Sequence, residues 1–479
     1  MGDRDAFVRV SPRDSRYLEL SNGQPYVPNG LNLVDAPPPE AFESTLDQMA
    51  ANRMNYCRVW LNRGSLLLER MRTGVFDEAM AANLDRFLAL ARSRGIRVKI
   101  CLEYFRNIRR EQQVWSDNTI HHRANGGAFA ELEGVEGTAM IDFMHTARGR
   151  DHFARKLAWY RARIGDDPAV YGWELWNEVN CTGPMWLWAP WTETMLTELR
   201  RLFPQHLSLQ SLGSFDRPQY RAMYAWLATL AGNHLAQVHR YLDLGAEWDV
   251  CHGPVDVLAA EAIRELQALG TTKPILLAEC GAVEPRHSGP FKLYAKDTEG
   301  ALLHDVIWAP FMAGAAGTGH CWFWEQHVAH HDLWWQFDRF AEATTGIDPP
   351  AEGFEALMLD HPQLRVYVLR GNRTVLIWCR DKTNDWRAEL QDGIPPELRD
   401  DVRIDLAAPV RHWQGRPRPD LVPLLASGAD WTARAYNPWT DSWTGLRLDG
   451  DVVALPPFRR SLVVRLEGQP GQAGATRTR

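Results

Sequence analysis

The sequence predicts a (β/α)8 barrel followed by a smaller antiparallel β-sandwich. Three observations carry that expectation. Short apolar runs and amphipathic helical stretches alternate from about residue 25 to residue 350, which argues for a parallel sheet covered by helices. The segment Asn29-Gly30-Leu31-Asn32 is not the Gly-rich phosphate turn that an open doubly wound sheet carries after its first strand. After Asp348-Pro349-Pro350 the helical pattern stops, and short strand-like runs separated by turn residues follow one another.

The elements follow in order. Residues 7–28 read as a hairpin with a turn at Asn22-Gly23, so that residues 1–24 form a piece packed on the barrel. The first barrel strand spans about 27–33. A helix over 39–52 opens with Pro39 and carries Phe42, Leu46 and Met49 at helical spacing. Strand two is 56–61. The next helix, 77–94, has Leu84, Phe87, Leu88 and Ala91 on one face and stops at Gly95. Strand three is 96–102. A long connection, 103–146, holds His121-His122 and Gly126-Gly127, and loops of that length are usually functional or disordered. A helix over 151–164 leads to strand four, 173–177. A loop with Trp186, Trp188 and Trp191 and a helix ending near Phe203-Pro204 precede strand five, 207–210. A helix over 219–231, strand six at 235–239, a helix over 255–269 and strand seven at 274–279 come next. A helix over 299–315, strand eight at 320–324 and an amphipathic segment at 334–344 complete eight units in a barrel spanning 25–350. The sandwich covers 351–467, with strands at 365–369, 374–379, 402–406, 433–436, 452–455 and 461–466. The tail 468–479, rich in Gly, Gln, Thr and Arg, is expected to be disordered.

Composition narrows the function classes. The chain has 479 residues, 24% charged and 45% hydrophobic, as globular proteins do. A net charge of -7 implies no nucleic-acid partner, and no apolar run approaches a membrane span. The seven cysteines include no CxxC pair and sit mostly in apolar runs, which favours free thiols in a reducing compartment. The charged N-terminus shows no signal peptide, so a cytoplasmic location is expected. The 21 tryptophans serve either as core filler or as platforms for sugar faces.

In a (β/α)8 enzyme the active site lies at the C-terminal ends of the strands. That rule gathers Arg58 from strand two, Glu103 from strand three, Asn177 and Glu178 from strand four and His239 and Tyr241 from strand six. It adds Glu279 from strand seven and Trp322 and Trp324 from strand eight. Two carboxylates on separate strand ends are what a glycosidase needs, one to protonate the leaving oxygen and one to attack the sugar. Glu174 shares a strand face with Glu178, so it is a second candidate acid or else a buried ion-pair member lower in the barrel. Glu103 is read either as a ligand of a sugar hydroxyl or as the partner of Arg106. No metal or other cofactor is expected. Strand one ends in Asn32-Leu33 without a His-x-His pair, and His327 and His331 lack the Glu of an HExxH motif, which favours a solvated loop there.

The barrel resembles the large clan of retaining glycoside hydrolases that includes cellulases, β-mannanases, β-glucosidases and β-galactosidases. Asn177-Glu178 at the end of strand four and Glu279 at the end of strand seven carry that resemblance, over roughly residues 25 to 345. It implies Glu178 as acid/base and Glu279 as nucleophile. It also implies that Arg58, His239, Tyr241 and Trp324 or Trp322 match the clan's strand-two, strand-six and strand-eight residues. The chain departs from cellulase-like members at strand three, where Glu103-Tyr104 stands in place of a His. In this reading Arg58 keeps Glu279 charged, Tyr241 orients it, and Asn177 donates to the sugar 2-hydroxyl. The expected activity is hydrolysis of β-glycosidic bonds with retention, by exo action or on short oligosaccharides. The alternatives are an endo-acting mannanase or cellulase, a metal-dependent hydrolase and a non-catalytic carbohydrate-binding protein. The expected partner is a carbohydrate substrate, and no oligomeric state is implied.

Overall fold

A computed structural model describes residues 2–34, 36–61, 64–69, 74–104, 138–408, 410–411, 424–425 and 430–468. The chain opens with an antiparallel sheet of Val8–Val10, Leu18–Leu20 and Pro25–Tyr26, one strand more than the expected hairpin. Its last two strands turn at Asn22-Gly23, where Gly23 has φ +89°, a backbone that suits glycine.

Five barrel strands follow in chain order in one parallel sheet: β1 (Gly30–Asn32), β2 (Tyr56–Trp60), β3 (Arg97–Cys101), β4 (Val170–Glu174) and β5 (Leu207–Leu209). Strands β6 (Ala236–His239) and β7 (Ile275–Glu279) pair in parallel beside them. Every residue of β2, β3, β4 and β7 is buried, as in a parallel sheet covered on both faces. Side chains link β5 to the stretch before β6. The Ser208 amide donates to His234 Nδ1 at 2.9 Å, and the Gln210 amide to Asn233 Oδ1 at 3.1 Å. The eighth stave is shorter than the expected 320–324. Cys321 alone forms parallel bridges, to Leu31 of β1 and to Cys280 just past β7. The chain then leaves the ring at Phe323, which has φ +52°.

Among the described residues, eight helices follow the strands round the ring, α1 (Phe42–Ala51), α2 (Glu78–Ser93), α3 (Ala147–Ile164), α4 (Met185–Leu202), α5 (Arg221–Thr229), α6 (Val255–Gln267), α7 (Ala301–Met312) and α8 (Trp335–Thr344), and a further short helix, Thr138–His145, precedes α3. The Asp77 carboxylate caps α2 by accepting from the amides of Ala79 and Met80. Leu84, Phe87, Leu88 and Ala91 of α2 are buried, as their spacing predicts. The tryptophans expected on a loop after strand four lie instead on α4, where Trp188 and Trp191 are buried and Trp186 is exposed. Helix α7 is buried on every side because a second layer covers it.

That layer is a seven-stranded antiparallel sheet in the order Val410–Arg411, Glu355–Leu359, Leu364–Arg370, Thr374–Asp381, Ser461–Gly468, Trp431–Asn437, Ser442–Leu446. Alternation sorts its side chains. Tyr367, Trp378 and Val463 join the barrel core, while Val366, Ile377 and Val464 face a second core. That second core includes Ile404 and Val453 from a small sheet of Arg403–Asp405, Val452–Ala454 and Leu448–Asp449. Four strands escaped the sequence pattern, two of them the two-residue pieces Val410–Arg411 and Leu448–Asp449. Glu355–Leu359 has a composition that suits a helix equally, and Ser442–Leu446 is a largely solvent-facing edge.

His121-His122, Gly126-Gly127, Arg106, Trp413 and the tail from 469 lie outside the described residues. All seven cysteines are free thiols, six of them buried. Among the described residues, no helix is long and apolar enough to cross a membrane.

Candidate active site

Arg58 lies on β2 with no solvent exposure, so its charge must be matched locally. Its Nε and Nη2 donate to the two oxygens of Glu174 at 2.8 and 3.0 Å. Nη2 also donates to Asn177 Oδ1 at 2.6 Å. Nη1 donates to Glu279 Oε1 at 2.5 Å and to Asn32 Oδ1 at 3.3 Å. Lys99, from β3, adds a second buried cation 3.0 Å from Glu174 and also donates to Gln237. Burial alone would raise the pKa of Glu174, but Arg58 and Lys99 overcome it and hold it at about 2. Glu174 is therefore the charged base of the site, deep in the barrel.

Strand β4 ends at Glu174, so Asn177 and Glu178 stand on the turn beyond it rather than on the strand itself. The Asn177 amide donates to the Glu103 carbonyl at 2.7 Å, and the Glu178 amide to Ser211 Oγ at 3.1 Å. Glu178 is held at φ 50°, ψ 54°, a left-handed conformation that is strained for a residue with a Cβ. It turns the carboxylate toward Glu279. One oxygen from each of Glu178 and Glu279 and one nitrogen of His239 lie within 4.8 Å of one another. His239 Nδ1 is 2.8 Å from Glu178 Oε1 and 3.3 Å from Glu279 Oε2. The Tyr241 hydroxyl donates to Glu279 Oε2 at 2.8 Å.

The two carboxyls differ in their partners. Burial raises the pKa of both. Glu178 rises well above the usual range because the charge of Glu279 adds to its burial. Arg58 and Tyr241 donate to Glu279 and pull it back. The pair thus shares a proton, and that proton sits on Glu178. Burial also drives His239 well below its ordinary value, so its imidazole is neutral.

An aromatic wall stands beside Arg58. Trp60 stacks on Tyr104 with centroids 5.0 Å apart, and Trp322 tilts against Trp60 at 5.2 Å. Trp322 and Trp324 both line a cavity of about 170 Å³ with Asn32, Val34 and Phe323. Trp324 is nearly buried and packs on Trp334. The Nδ2 of Asn177 is buried and has no hydrogen-bond partner among the described residues.

Glu103 has a different place from the rest. Its carboxylate meets Lys156 of α3 at 2.5 Å, and Lys156 also pairs with Glu69. The Glu103 side chain thus belongs to a buried charge cluster, and its carbonyl accepts from the Asn177 amide of the site. The sequence offered no view of this, because Lys156 lies 53 positions away. The histidine cluster is solvated only in part, with His330 exposed and His331 half-buried. His327 is buried, 2.9 Å from Asp297, and His331 lies against the Tyr294 carbonyl. Asn32, Lys99, Ser211, Gln237, Trp60 and Tyr104 were not singled out from the sequence. A lysine and a glutamine within otherwise apolar strands were the available signal for Lys99 and Gln237.

Comparison with known proteins places these features in context. No family model matches the chain. Mannan endo-1,4-beta-mannosidase 4 of Oryza sativa subsp. japonica is 26% identical over 191 residues, which are 36% of this chain and 38% of that protein. Mannan endo-1,4-beta-mannosidase 3 of the same plant is 24% identical over 352 residues, 67% of this chain and 69% of that protein. The chain thus spans well under half of the first relative's length and about two thirds of the second's. Among solved structures, a glycoside hydrolase superposes with TM-score 0.60 at 12% identity, covering 97% of both chains. A glycoside hydrolase of family 5 from Bacteroides vulgatus ATCC 8482 gives 0.58 at 13% identity, covering 96% of this chain and 93% of that one. The architecture shared over nearly the whole chain is therefore that of (β/α)8 glycoside hydrolases.

Proposed function

We propose that this chain, a (β/α)8 glycoside hydrolase by fold and by sequence kinship, cleaves β-mannosidic bonds with retention of configuration. The observation that carries retention is the approach of Glu178 and Glu279 to within 4.8 Å. One oxygen of each carboxyl falls inside that distance, which is nearer the roughly 5 Å separation of a retaining pair than the wider gap of an inverting one. Glu279, ionised beside Arg58, attacks the anomeric carbon while Glu178 gives its proton to the leaving oxygen. The bond from anomeric carbon to leaving oxygen breaks as the bond to the Glu279 carboxylate forms. Glu178, now charged, takes a proton from water, and that water displaces Glu279. Asn177 Nδ2 supplies a free donor for a sugar hydroxyl. Trp322 and Trp324 offer indole surface to the sugar.

The mannoside reading rests on the names of the rice relatives, which are endo-acting mannosidases. Action on short oligosaccharides remains our reading of the site. The second reading, endo cleavage, is favoured by those same names. A panel of aryl β-glycosides with NMR of the first-formed anomer tests both sugar and stereochemistry. Initial release of the β-anomer from β-mannosides is expected, and α-anomer release overturns the mechanism. A rapid fall in viscosity of a long mannan, with few reducing ends formed, would select endo action.

A further inference from the structure

We propose that Gln210, the residue just past β5, is a positioning residue that holds Glu178 in the turn from which it donates its proton. This rests on the glycosidase reading above and deepens it. The side-chain amide of Gln210 makes the case. It is wholly buried, and its Nε2 donates to two backbone carbonyls, that of Trp176 at 2.5 Å and that of Ser211 at 2.8 Å. Both partners are acceptors, so the amide must present its NH2 group to them. Trp176 lies two residues before Glu178, on the chain leaving β4. Ser211 meets the chain at Glu178 and just after it. Its Oγ accepts from the Glu178 amide at 3.1 Å, and its carbonyl accepts from the Val179 amide at 3.2 Å. One NH2 group thus ties the backbone ahead of Glu178 to the residue that takes hydrogen bonds from Glu178 and Val179.

Glu178 needs such a clamp. Its left-handed backbone, φ 50° and ψ 54°, persists in a residue with a Cβ only where the surroundings over-determine it. Gln210 is itself fixed at both of its backbone groups by side chains. Its amide donates to Asn233 Oδ1 at 3.1 Å, and its carbonyl accepts from Gln237 Nε2 at 3.2 Å. Gln237 Oε1 accepts in turn from Lys99, the cation that pairs with Glu174. An unbroken line of hydrogen bonds and one ion pair therefore runs from the charged base of the site to the Glu178 turn. Glu174 fixes Glu279 through Arg58, and it fixes Glu178 through Lys99, Gln237 and Gln210. Both carboxyls of the pair are thus referred to one buried anchor. The remaining atom of the Gln210 amide sharpens the point. Oε1 is buried and has no hydrogen-bond partner among the described residues, a cost that an apolar side chain would avoid. The two contacts of Nε2 are what the glutamine supplies in return.

A role exerted through Glu178 has a signature that packing alone lacks. Proton donation matters for poor leaving groups and little for good ones. Gln210→Leu is expected to lower kcat/KM on an unsubstituted β-linked disaccharide about tenfold or more beyond its effect on an activated aryl glycoside of the same sugar, because a small displacement of a reacting group is that costly. The phenyl glycoside, whose leaving group still gains from a proton, allows a double-mutant cycle. There Gln210→Leu is expected to cost about fivefold or more alone, and less than about twofold when added to Glu178→Ala, since the group that Gln210 places is already gone. Equal losses on disaccharide and activated glycoside, or a double variant whose loss is the product of the two single losses, would overturn the assignment. Gln210→Met, unbranched and of similar length, serves where leucine is not accommodated. Failure of both variants to fold, read by thermal melts, would show that the amide serves the fold rather than the turn, and overturns the assignment too. A wild-type protein inert toward every β-glycoside defeats the glycosidase reading and this inference with it. An active wild type whose Gln210 variants leave the leaving-group ratio unmoved defeats this inference alone.

Discussion

Arg58 donates to four side chains at once, and the charge count around it explains how one carboxyl of the pair stays protonated. Arg58 and Lys99 contribute two buried positive charges, and Glu174 and Glu279 balance them. Glu178 makes no ion pair with either cation. In a low-dielectric site a third negative charge is strongly disfavoured, so Glu178 keeps its proton. Replacing Glu279→Gln is expected to cut turnover about 10³-fold or more, the scale seen when a covalent nucleophile is lost. It should also lower the pKa of Glu178, because the charge that raises it is gone. An NMR titration of the Glu178 carboxyl reads that shift, and an unmoved pKa would contradict the shared-proton account. Glu178→Ala should slow glycosides with poor leaving groups far more than those whose leaving group needs no proton. Glu174 gives a stability prediction. Its folded pKa of about 2 lies below its ordinary 4.5, so its contribution is present above pH 4.5 and is lost as pH falls toward 2. The loss amounts to roughly 3 kcal/mol. Thermal melts between pH 5 and 2.5 should show the wild type losing more stability than Glu174→Gln.

At the scale of elements, the strands and helices are short, and a few residues set where they meet. Gly30 in β1 lies so close to β2 that an added Cβ would fall 1.8 Å from the Tyr56 carbonyl oxygen. Gly30→Ala is therefore expected to break the β1–β2 pairing and to give insoluble or grossly destabilised protein. Wild-type melting of that variant would show that the two strands can move apart at little cost. The same scale shows what local pattern could and could not convey. Strand β4 and helix α2 appear near their expected positions because apolar period and capping are local signals. The tryptophans of α4 read as a loop ahead of the helix, and two prolines stand among them, Pro184 and Pro190. Yet Pro184 is the N-cap, and Pro190 falls in the second turn, where the surrounding packing holds the helix. The eighth stave shrank to Cys321 because only the neighbours on both sides determine how much backbone can pair.

Over the whole molecule, barrel and sheet share a single core along α7, and buried ion pairs cross the seam. Arg380 holds Asp305 of α7 at 2.7 and 3.2 Å, with both side chains almost wholly buried. Arg365 and Tyr367 meet Asp256 of α6 at 2.5 and 3.0 Å. Arg380→Met leaves Asp305 buried without its partner, and should cost about 3–5 kcal/mol. Adding Asp305→Leu should restore much of that, since a hydrophobic pair of similar volume avoids the desolvation cost. Calorimetry on the single and double variants checks this. A double variant no better than the single would mean that the pair's value lies in its geometry.

By itself the sequence determined the alternation that makes a barrel, the change to antiparallel strands after residue 348, and which strand tips carry carboxylates. Those are local signals, written in the period of apolar residues and the residues that end each run. Tertiary structure alone decided which charges meet. Glu103 met Lys156, which also holds Glu69, Lys99 joined Glu174, and Arg58 drew in Glu174, Asn177 and Glu279. Each of those contacts joins residues from separate strands, helices or loops. Coulomb energy depends on distance in space, not on position along the chain, so no local pattern could have specified them.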